Sequence, residues 1–543
     1  MNREGNTVAR VCRIVSAVSA AALAVQLALP AQGTEREFVY RAVAGDTLIG
    51  IANRYLLDPE DWRLLQRRNR IADTTTIPIG TEIRLPVSRM RSQPRAVQVE
   101  AVRGEARSAS GALAAGERLG EGAQVATGED GFVTLTLSDG SRITVPSKSK
   151  VVVERSRSYG DESIIETLLR LLGGRVDTTA RPLGVSDVFE IRSRKAITAV
   201  RGTQFRVALL DADAVATEVI EGQVGVDEES VNQPVRVGTG FGTKVEAGLA
   251  PLPPVRLLPS PDASRIPSLV ERTLVRLPFG AVQGALGYRG QVGLDSAFHS
   301  IVAEDRFDSP EARFSGLPDG DYFIRLRAVD ALGLEGLDAV RPFRLKAHPE
   351  PPFASGPSDK AKISAPEATA GWSTSTEAAT YRLQASAKPD FSLVALDEPR
   401  LASTRMDLSR LGRGTWHWRV ASVRADGDQG PWGDPRSFTI IPDPPTPKAG
   451  KGADGRLAFE WGGEAGQRFQ FQLSQDEEFS SLMVERMLDE PKVAFDEPGP
   501  GEYFFRIRAM DADGFKGPFS AAQRLEVHPS PWWLLLALLL FAI

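Results

Sequence analysis

Gly45, Asp46 and Thr47 are the first residues of this sequence whose types and order suggest chemistry. A glycine followed by a carboxylate and a hydroxyl fits three kinds of site: a phosphate cradle, a catalytic carboxylate, or a helix cap beside a sugar groove. A phosphate cradle needs a glycine-rich loop and a lysine, and neither accompanies this stretch. Asp46 has no acid, base or metal partner nearby in sequence. The residues therefore favour the helix cap beside a groove.

The elements around this stretch are predicted from the spacing of apolar residues. The run EFVYRAV alternates as a strand, whereas Leu48, Ile51 and Ala52 fall on one face of a helix. PEDWRLLQRRN begins a second helix with a proline in its first turn, and TEIRLP returns as a strand. The pattern predicts a compact βααβ unit in which Asp46 or Thr47 caps the first helix.

Residues 37–87 resemble a LysM domain in the order and spacing of GDTL, IA, Asn69 and IPIGTEIRLP. The resemblance implies a module that binds N-acetylglucosamine-containing glycans, chiefly peptidoglycan, without cleaving them. It also implies the glycan-binding residues, which are Gly45, Asp46, Thr47, Leu48, Asn69, Ile77, Pro78, Ile79 and Gly80. The glycine often found after the first helix is replaced by LLDPEDW, which leaves Trp62 either in the core or as an exposed stacking ring.

Residues 117–248 are predicted to be all-β. GFVTLTLSDGSRITV alternates apolar residues with threonines, and its Asp139-Gly140 step is a hairpin signal. ESIIETLLRLLGG fits a short helix nearly as well as a buried strand, so its state stays open.

The same region resembles the FecR domain through LLGGRVD, AITAVRGTQFRV and TEVIEGQVGV, in that order. Its most recognisable motif comprises Val200, Arg201, Gly202, Thr203 and Phe205. Best-known members of that family relay a signal from an outer-membrane transporter to a cytoplasmic sigma factor. Here a signal peptide and another module replace their cytoplasmic segment, so only an extracytoplasmic sensing or docking role is expected.

Within this motif a structural role is favoured over a binding role. Gly202 is expected to serve a bend, Phe205 and Val207 to fill the core, and Arg201 to join an ion pair. The surrounding basic residues are expected to form a solvated strand face; they are Arg192, Arg194, Lys195, Arg201 and Arg206.

The second half of the chain contains three copies of one module. GDYFIRLRAVDALG, GTWHWRVASVRADG and GEYFFRIRAMDADG align without gaps, and proline clusters separate the copies. The copies resemble fibronectin type III sandwiches over 255–348, 352–441 and 447–528. Their recurring aromatic residues could form a sugar-stacking surface or a sandwich core, and recurrence at equivalent strand positions favours the core; they are Tyr322, Trp372, Trp416, Trp461 and Tyr503.

Both ends of the chain are apolar. Arginines precede an apolar run in residues 1–33, which predicts a signal peptide cleaved after Gly33; an uncleaved anchor is the alternative. The uncharged tail, 531–543, is short for a bilayer span, so a membrane contact, a partial span or an incomplete reading frame remain open.

The composition of the chain excludes several kinds of site. The 543 residues carry a net charge of -5, which does not suggest nucleic acid as a partner. The only cysteine, Cys12, lies in the predicted signal peptide, and no histidine precedes His299. The mature chain is therefore expected to have no disulfide, no cysteine-based metal site and no cofactor.

These features predict a non-enzymatic protein of the periplasm or cell envelope, exported by a Sec-type route, with no catalytic and no metal-binding residues. Its expected partners are peptidoglycan or a related glycan, an unknown envelope protein at the FecR-like domain, and a membrane at the tail. One alternative is a signalling regulator that acts through a separate membrane protein. A cell-wall hydrolase is the other alternative, although no segment outside the recognised modules is long enough for a catalytic domain.

Overall fold

The computed structural model describes residues 37–528 except 161–163, 184–186, 201, 211–213, 229–230, 232 and 453–454. The predicted signal peptide, 1–33, and the tail, 531–543, lie outside the described residues. The chain divides into two compact units, residues 1–256 and 257–543.

The N-terminal module has the predicted βααβ order. Its elements are β1 (Glu37–Arg41), α1 (Leu48–Tyr55), α2 (Trp62–Asn69) and β2 (Glu82–Pro86), with a 3₁₀ turn at Pro59–Asp61 before α2. β1 and β2 pair antiparallel. Leu48, Ile51 and Ala52 are buried, as their helical spacing predicts.

Residues 117–248 are all-β in the described part of the chain, as predicted, and further strands stand before and after this range. Together these strands are β3 (Ser92–Pro94), β4 (Val97–Arg103), β5 (Ala106–Ser108), β6 (Gly111–Ala112), β7 (Arg118–Leu119), β8 (Gln124–Thr127), β9 (Phe132–Thr136), β10 (Arg142–Val145), β11 (Lys150–Tyr159), β12 (Ile164–Gly173), β13 (Arg175–Thr179), β14 (Val188–Arg192), β15 (Ile197–Val200), β16 (Gln204–Leu209), β17 (Ala214–Glu221), β18 (Gln223–Asp227), β19 (Val235–Gly238), β20 (Phe241–Glu246) and β21 (Val255–Arg256).

These strands form two sheets over one apolar core. Among the described residues, nine strands follow the order β21-β20-β17-β16-β13-β10-β9-β4-β7 in the first sheet. The second sheet follows β19-β18-β15-β14-β12-β11-β8-β5-β6, and β3 pairs with β11. The core between the sheets is built mainly from valine, leucine and isoleucine.

Most of these strands are halves of longer, bent strands. Among the described strands, a strand of one sheet continues into the other after a connection of one to four residues in seven cases; the pairs are β4/β5, β8/β9, β10/β11, β12/β13, β15/β16, β17/β18 and β19/β20. Neighbouring bent strands pair antiparallel on both sides of the corner. Strand β14 belongs to the second sheet, where it lies between β12 and β15; it pairs parallel with β12 and antiparallel with β15. The fold is therefore a meander that is folded across two sheets.

The ambiguous ESIIETLLRLLGG run forms strand β12. It pairs with β11 on one side and with β14 on the other, and most of its apolar residues are buried. Apolar residues stand at most positions of this strand and fit strand and helix spacing alike, which explains why spacing alone did not separate the two.

The second unit contains three sandwiches. The first has β22 (Leu269–Val270), β23 (Val275–Pro278), β24 (Gly287–Gly293), β25 (Ile301–Phe307), β26 (Glu311–Phe314), β27 (Gly320–Val329) and β28 (Ala339–Leu345). The second has β29 (Ala354–Gly356), β30 (Ala361–Ile363), β31 (Thr369–Trp372), β32 (Thr380–Ser386), β33 (Val394–Leu401), β34 (Arg405–Asp407), β35 (Gly414–Val423), β36 (Gln429–Trp432) and β37 (Arg436–Ile440). The third has β38 (Lys448–Lys451), β39 (Leu457–Glu460), β40 (Arg468–Ser474), β41 (Leu482–Leu488), β42 (Lys492–Phe495), β43 (Gly501–Met510) and β44 (Gln523–Val527).

The aromatic residues of the repeats lie mainly in the cores, as predicted. Trp372 and Trp461 are buried and pack edge-on against the first aromatic residue of the next strand. The first repeat lacks this tryptophan, and buried Phe279 packs in the same way against Tyr288, with 4.9 Å between ring centroids. Each sandwich thus keeps one aromatic pair at its centre.

A second set of contacts recurs in all three repeats. A strand arginine places its guanidinium 3.9–4.3 Å from the centroid of a phenylalanine ring and donates a hydrogen bond to a glutamine of the neighbouring strand. The sets are Arg325, Phe298 and Gln291; Arg419, Phe391 and Gln384; and Arg506, Phe479 and Gln472. The cation over the ring offsets part of the cost of burying the arginine.

Lysine ion pairs connect successive repeats within the second unit. Lys346, at the end of the first repeat, lies 2.9 Å from a carboxylate oxygen of Asp428 in the second. Lys362 of the second repeat lies 2.9 Å from Asp511 and 2.6 Å from Asp513 in the third. Each junction is thereby fixed by a cation of one repeat and a loop of the next.

Asp476 generates a testable pH dependence. Its carboxylate accepts hydrogen bonds from the Ser480 and Ser481 N–H groups and from the Ser474 hydroxyl, which lowers its pKa to about 2. A lowered pKa stabilises the fold above the unfolded value of about 3.9. This stability should be lost as the pH falls toward 2.

Carboxyl NMR titration measures this pKa. Urea unfolding should separate the wild type from Asp476→Asn at pH 5, and the difference should shrink at pH 2.5. Asp496→Asn, at an exposed carboxylate of the same repeat, serves as the control. A pKa of Asp476 near 4 would contradict the prediction.

Candidate functional site

The cap of helix α1 is Thr47. Its backbone is extended, and its side-chain oxygen accepts a hydrogen bond of 3.0 Å from the Gly50 N–H group. Of the two candidate caps, the hydroxyl therefore performs this role.

Asp46 organises the loop before the helix. Its carboxylate accepts a 2.7 Å bond from the Val43 N–H group and a 2.8 Å bond from the Tyr40 hydroxyl. Burial and the neighbouring carboxylate raise the pKa of the Tyr40 phenol, because both disfavour the phenolate. Gly45, at φ +87°, supplies the left-handed backbone that closes this turn.

The structure brings the two predicted glycan-binding loops together. The Gly80 N–H group donates to the Ala42 carbonyl at 2.7 Å, and the Leu48 N–H group donates to the Thr74 carbonyl at 2.9 Å. One loop runs from Ala42 to Leu48, and the other runs from Thr74 to Gly80. We call their shared surface the loop pair.

Apolar side chains are exposed on the loop pair. Ile79 is 74% exposed and Val43 is 52% exposed, and they neighbour the residues joined by the Gly80–Ala42 hydrogen bond. Pro78 is also exposed, whereas Leu48 and Ile77 are buried beneath the surface. An exposed apolar rim with nearby main-chain polar groups suits an N-acetylated sugar.

Asn69 lies elsewhere, at the end of α2. Its side-chain amide donates to the Leu65 and Arg84 carbonyls, and its side-chain oxygen accepts from the Arg84 N–H group at 2.7 Å. These bonds tie the helix to β2. Asn69 thus has a structural role here, and its contact with glycan stays a prediction.

Trp62 is half-buried against the core of this module, with the Arg63 guanidinium 4.7 Å from its ring centroid. Of the two alternatives for Trp62, the structure therefore favours the core.

The FecR-like motif forms one corner of the bent strands. β15 ends at Val200 in the second sheet, and β16 begins at Gln204 in the first sheet. Gly202 and Thr203 therefore lie where the chain changes sheets. Arg201 lies outside the described residues, and of Val200 only the backbone is described.

Close packing explains the residue types at this corner. Gly202 has φ +66°, and a Cβ there would lie 2.7 Å from the Cα atom of Pro182. A Cβ at Gly222, on the neighbouring corner, would lie 2.5 Å from a methyl group of Thr203. Phe205 is completely buried in the core between the sheets. The corner thus leaves no room for additional side-chain atoms.

The expectation of a solvated basic face is wrong for Arg206. Its side chain is 3% exposed and lies 3.6 Å from the carboxylate of Glu218, which is directly opposite on β17. Strand alternation places Arg206 on the sheet face opposite to Phe205 and Val207, which lie in the core between the sheets, and a charge buried there requires a partner.

Two family models match the chain. The model described as LysM domain matches residues 40–86, and the model described as FecR protein matches residues 123–225. The chain carries a LysM domain and a FecR domain. No curated protein matches the sequence.

Three solved structures match parts of the chain. Two crystal structures of a candidate anti-sigma factor from Parabacteroides distasonis ATCC 8503 match at 20% and 18% identity, each with a TM-score of 0.20. Each match covers 24% of this chain and 59% of the solved chain. The chicken CNTN1 FN1–FN3 domains match at 16% identity and a TM-score of 0.18, over 50% of this chain and 100% of theirs.

Within the described part of the chain, no group of three or more His, Cys, Asp or Glu residues could hold a metal ion. No described helix has both the length and the apolar character required to cross a membrane.

The Thr47 cap can be tested by substitution. Thr47→Ala should reduce the stability of the LysM domain by about 1 kcal/mol, because the Gly50 N–H group loses its acceptor. Thr47→Ser retains the hydroxyl and should behave like the wild type. Hydrogen exchange of the α1 amides measures the difference, and equal exchange in both variants would exclude the cap.

The corner role of Gly202 predicts a second result. Gly202→Ala and Gly240→Ala both place alanine at positive φ, but nothing lies within 4 Å of a Cβ at Gly240. Gly202→Ala should therefore cost about 1–3 kcal/mol more, because its methyl group overlaps Pro182. Thermal unfolding of the full chain and hydrogen exchange over 197–227 measure the costs. Equal losses would show that packing at Gly202 is unimportant.

Proposed function

We propose that this chain is a non-enzymatic, exported protein of the cell envelope that binds peptidoglycan or a related N-acetylglucosamine-containing glycan through its LysM domain. The FecR domain docks or senses a separate envelope protein. The loop pair carries the glycan part of the proposal, because two hydrogen-bonded loops present exposed Val43 and Ile79 beside main-chain polar groups.

The loop pair supports contacts of two kinds with an N-acetylated sugar. Exposed Ile79 and Val43 offer apolar area to the N-acetyl methyl group and to a sugar face, which removes that area from water. The amides and carbonyls of the loops offer hydrogen bonds to the acetamide group. Their mutual bonds hold the loops in place, which lowers the entropic cost of binding.

The hydrogen bonds that Asp46 accepts support the proposal that the chain is not an enzyme. Its carboxylate binds the Val43 N–H group and the Tyr40 hydroxyl, so it acts as a structural acceptor. Glycoside hydrolysis requires a pair of carboxylates placed on either side of the scissile bond. The LysM and FecR matches support a binding role and a docking role instead.

A second candidate function is an extracytoplasmic signalling regulator. The FecR match at 123–225 favours it, because that family includes proteins that transmit a signal through the envelope. Any such signal would pass to a separate membrane protein. Export is supported by the sequence pattern of residues 1–33, and membrane association by the apolar tail.

Glycan binding is tested by co-sedimentation of the full chain with purified peptidoglycan. Ile79→Ser should weaken binding by about tenfold, because one large apolar contact is removed while the buried core stays intact. Leu57→Ser is the matched control: Leu57 is 63% exposed but follows the opposite end of α1. It should bind like the wild type.

Failure of the wild-type chain to sediment with peptidoglycan or to bind chitin oligosaccharides would refute the glycan proposal. If Ile79→Ser and Leu57→Ser weaken binding equally, the loop pair is not the binding surface.

A further inference from the structure

The LysM domain and the FecR domain are connected without a flexible linker. The segment after β2 returns along the end of α1, where the Arg91 N–H group donates to the Tyr55 carbonyl at 2.9 Å. The Gly160 N–H group, just after β11, donates to the Arg91 carbonyl at 3.0 Å. β3 then pairs with the end of β11. Main-chain hydrogen bonds thus run from the LysM helix to the FecR sheet.

Side chains of the FecR strands also complete the LysM core. Tyr159, at the end of β11, and Ile164, at the start of β12, are buried in the same apolar cluster as the LysM residues. The ring centroids of Tyr159 and Phe38 are 5.0 Å apart. We call the paired strands β11 and β12 the β11–β12 hairpin. Without it, this face of the LysM core would be open to water.

A buried polar contact fixes the orientation of Tyr159. Its hydroxyl donates a 2.5 Å hydrogen bond to Glu166, whose side chain is completely buried. The other oxygen of Glu166 lies 3.4 Å from a guanidinium nitrogen of Arg155. Tyr159 therefore packs on the LysM core with its ring and is held by FecR strands through its hydroxyl.

The same contacts reach the loop pair. Gly160 lies against Tyr55, and a Cβ at Gly160 would be 2.3 Å from the Tyr55 ring. The ring centroids of Tyr55 and Tyr40 are 5.1 Å apart, and the Tyr40 hydroxyl binds Asp46 in the first loop. Packed rings and one hydrogen bond therefore extend from the β11–β12 hairpin to the loop pair.

We propose that the LysM domain and the FecR domain form one cooperative unit, in which the β11–β12 hairpin positions the loop pair and glycan binding stabilises the FecR strands. The glycan part rests on the proposed function. Because binding equilibria are reciprocal, a protein that binds and alters this hairpin changes the glycan affinity. The FecR domain thereby regulates the LysM site.

Hydrogen exchange of the full chain without ligand tests the shared core. Gly160→Ala places a methyl group into the Tyr55 ring and should speed exchange of both the α1 amides and the β11 amides by about tenfold. Gly248→Ala is the matched control, because Gly248 has φ +72° but nothing within 4 Å of its added Cβ. It should leave α1 unchanged.

A second pair of variants tests the shared core in case Gly160→Ala does not fold. Tyr159→Leu removes the ring from Phe38, whereas Tyr159→Phe keeps the ring and loses only the bond to Glu166. Exchange in α1 should be faster in Tyr159→Leu than in Tyr159→Phe. Unchanged α1 exchange in Gly160→Ala and in Tyr159→Leu would overturn the shared core, whether or not the chain binds glycan.

Addition of a chitin oligosaccharide tests the coupling. At about 100 times Kd, ligand binding should slow exchange of α1 and of the β11 and β12 ends by up to about 100-fold, while the third repeat serves as an internal reference. Calorimetry measures the binding separately. Binding without protection of β11 would overturn the coupling, whereas absence of binding would refute the proposed function and leave the ligand-free test to decide the shared core.

Discussion

The FecR domain depends on one backbone constraint: long antiparallel strands must turn from one sheet into the other within one to four residues. At the β15/β16 and β17/β18 corners the packing is close, and an added side-chain atom has no space. The recognisable motifs of this region lie at these points, since Gly202 is held against Pro182 and Gly222 against Thr203. The residues that identify the family therefore encode a bend.

Buried charged residues also specify the register in which the strands pair. Arg206 and Glu218 face each other at the centre of the first sheet, and a one-residue slip of β16 would leave both without the other. Such a pair contributes little net stability, yet removing one partner is costly, so the pair selects one register. The repeats use the same principle in milder form, with an arginine held between a phenylalanine ring and a glutamine. Lys362 then fixes the junction to the next repeat.

Much of the fold could be predicted from local patterns. Helical spacing identified the buried face of α1, and the three-fold repeat identified the sandwiches with their aromatic cores. Prediction stayed open or was wrong where burial depends on how the strands pack in the finished sheets. The apolar residues of β12 fit either spacing until its pairing with β11 and β14 is known, and Arg206 is buried beside Glu218 of β17. Local sequence does not contain these neighbours, so spacing alone gave an open choice for the first and a wrong surface for the second.

The sequence by itself determined the order of modules, the residues of the two LysM loops and the aromatic centres of the repeats, because each depends on short-range periodicity or on recurrence. Tertiary structure decided that Thr47 caps the helix while Asp46 holds the loop through Tyr40, since that bond joins β1 to the helix start. It also decided that Tyr159 and Ile164 complete the LysM core. Tyr159 and Ile164 lie more than 100 positions after Tyr55 in the sequence, and only the return of β11 and β12 brings them into the cluster that contains Phe38 and Tyr55. Apolar residues are buried against whatever surface the completed fold presents, and that surface is not encoded in any one segment.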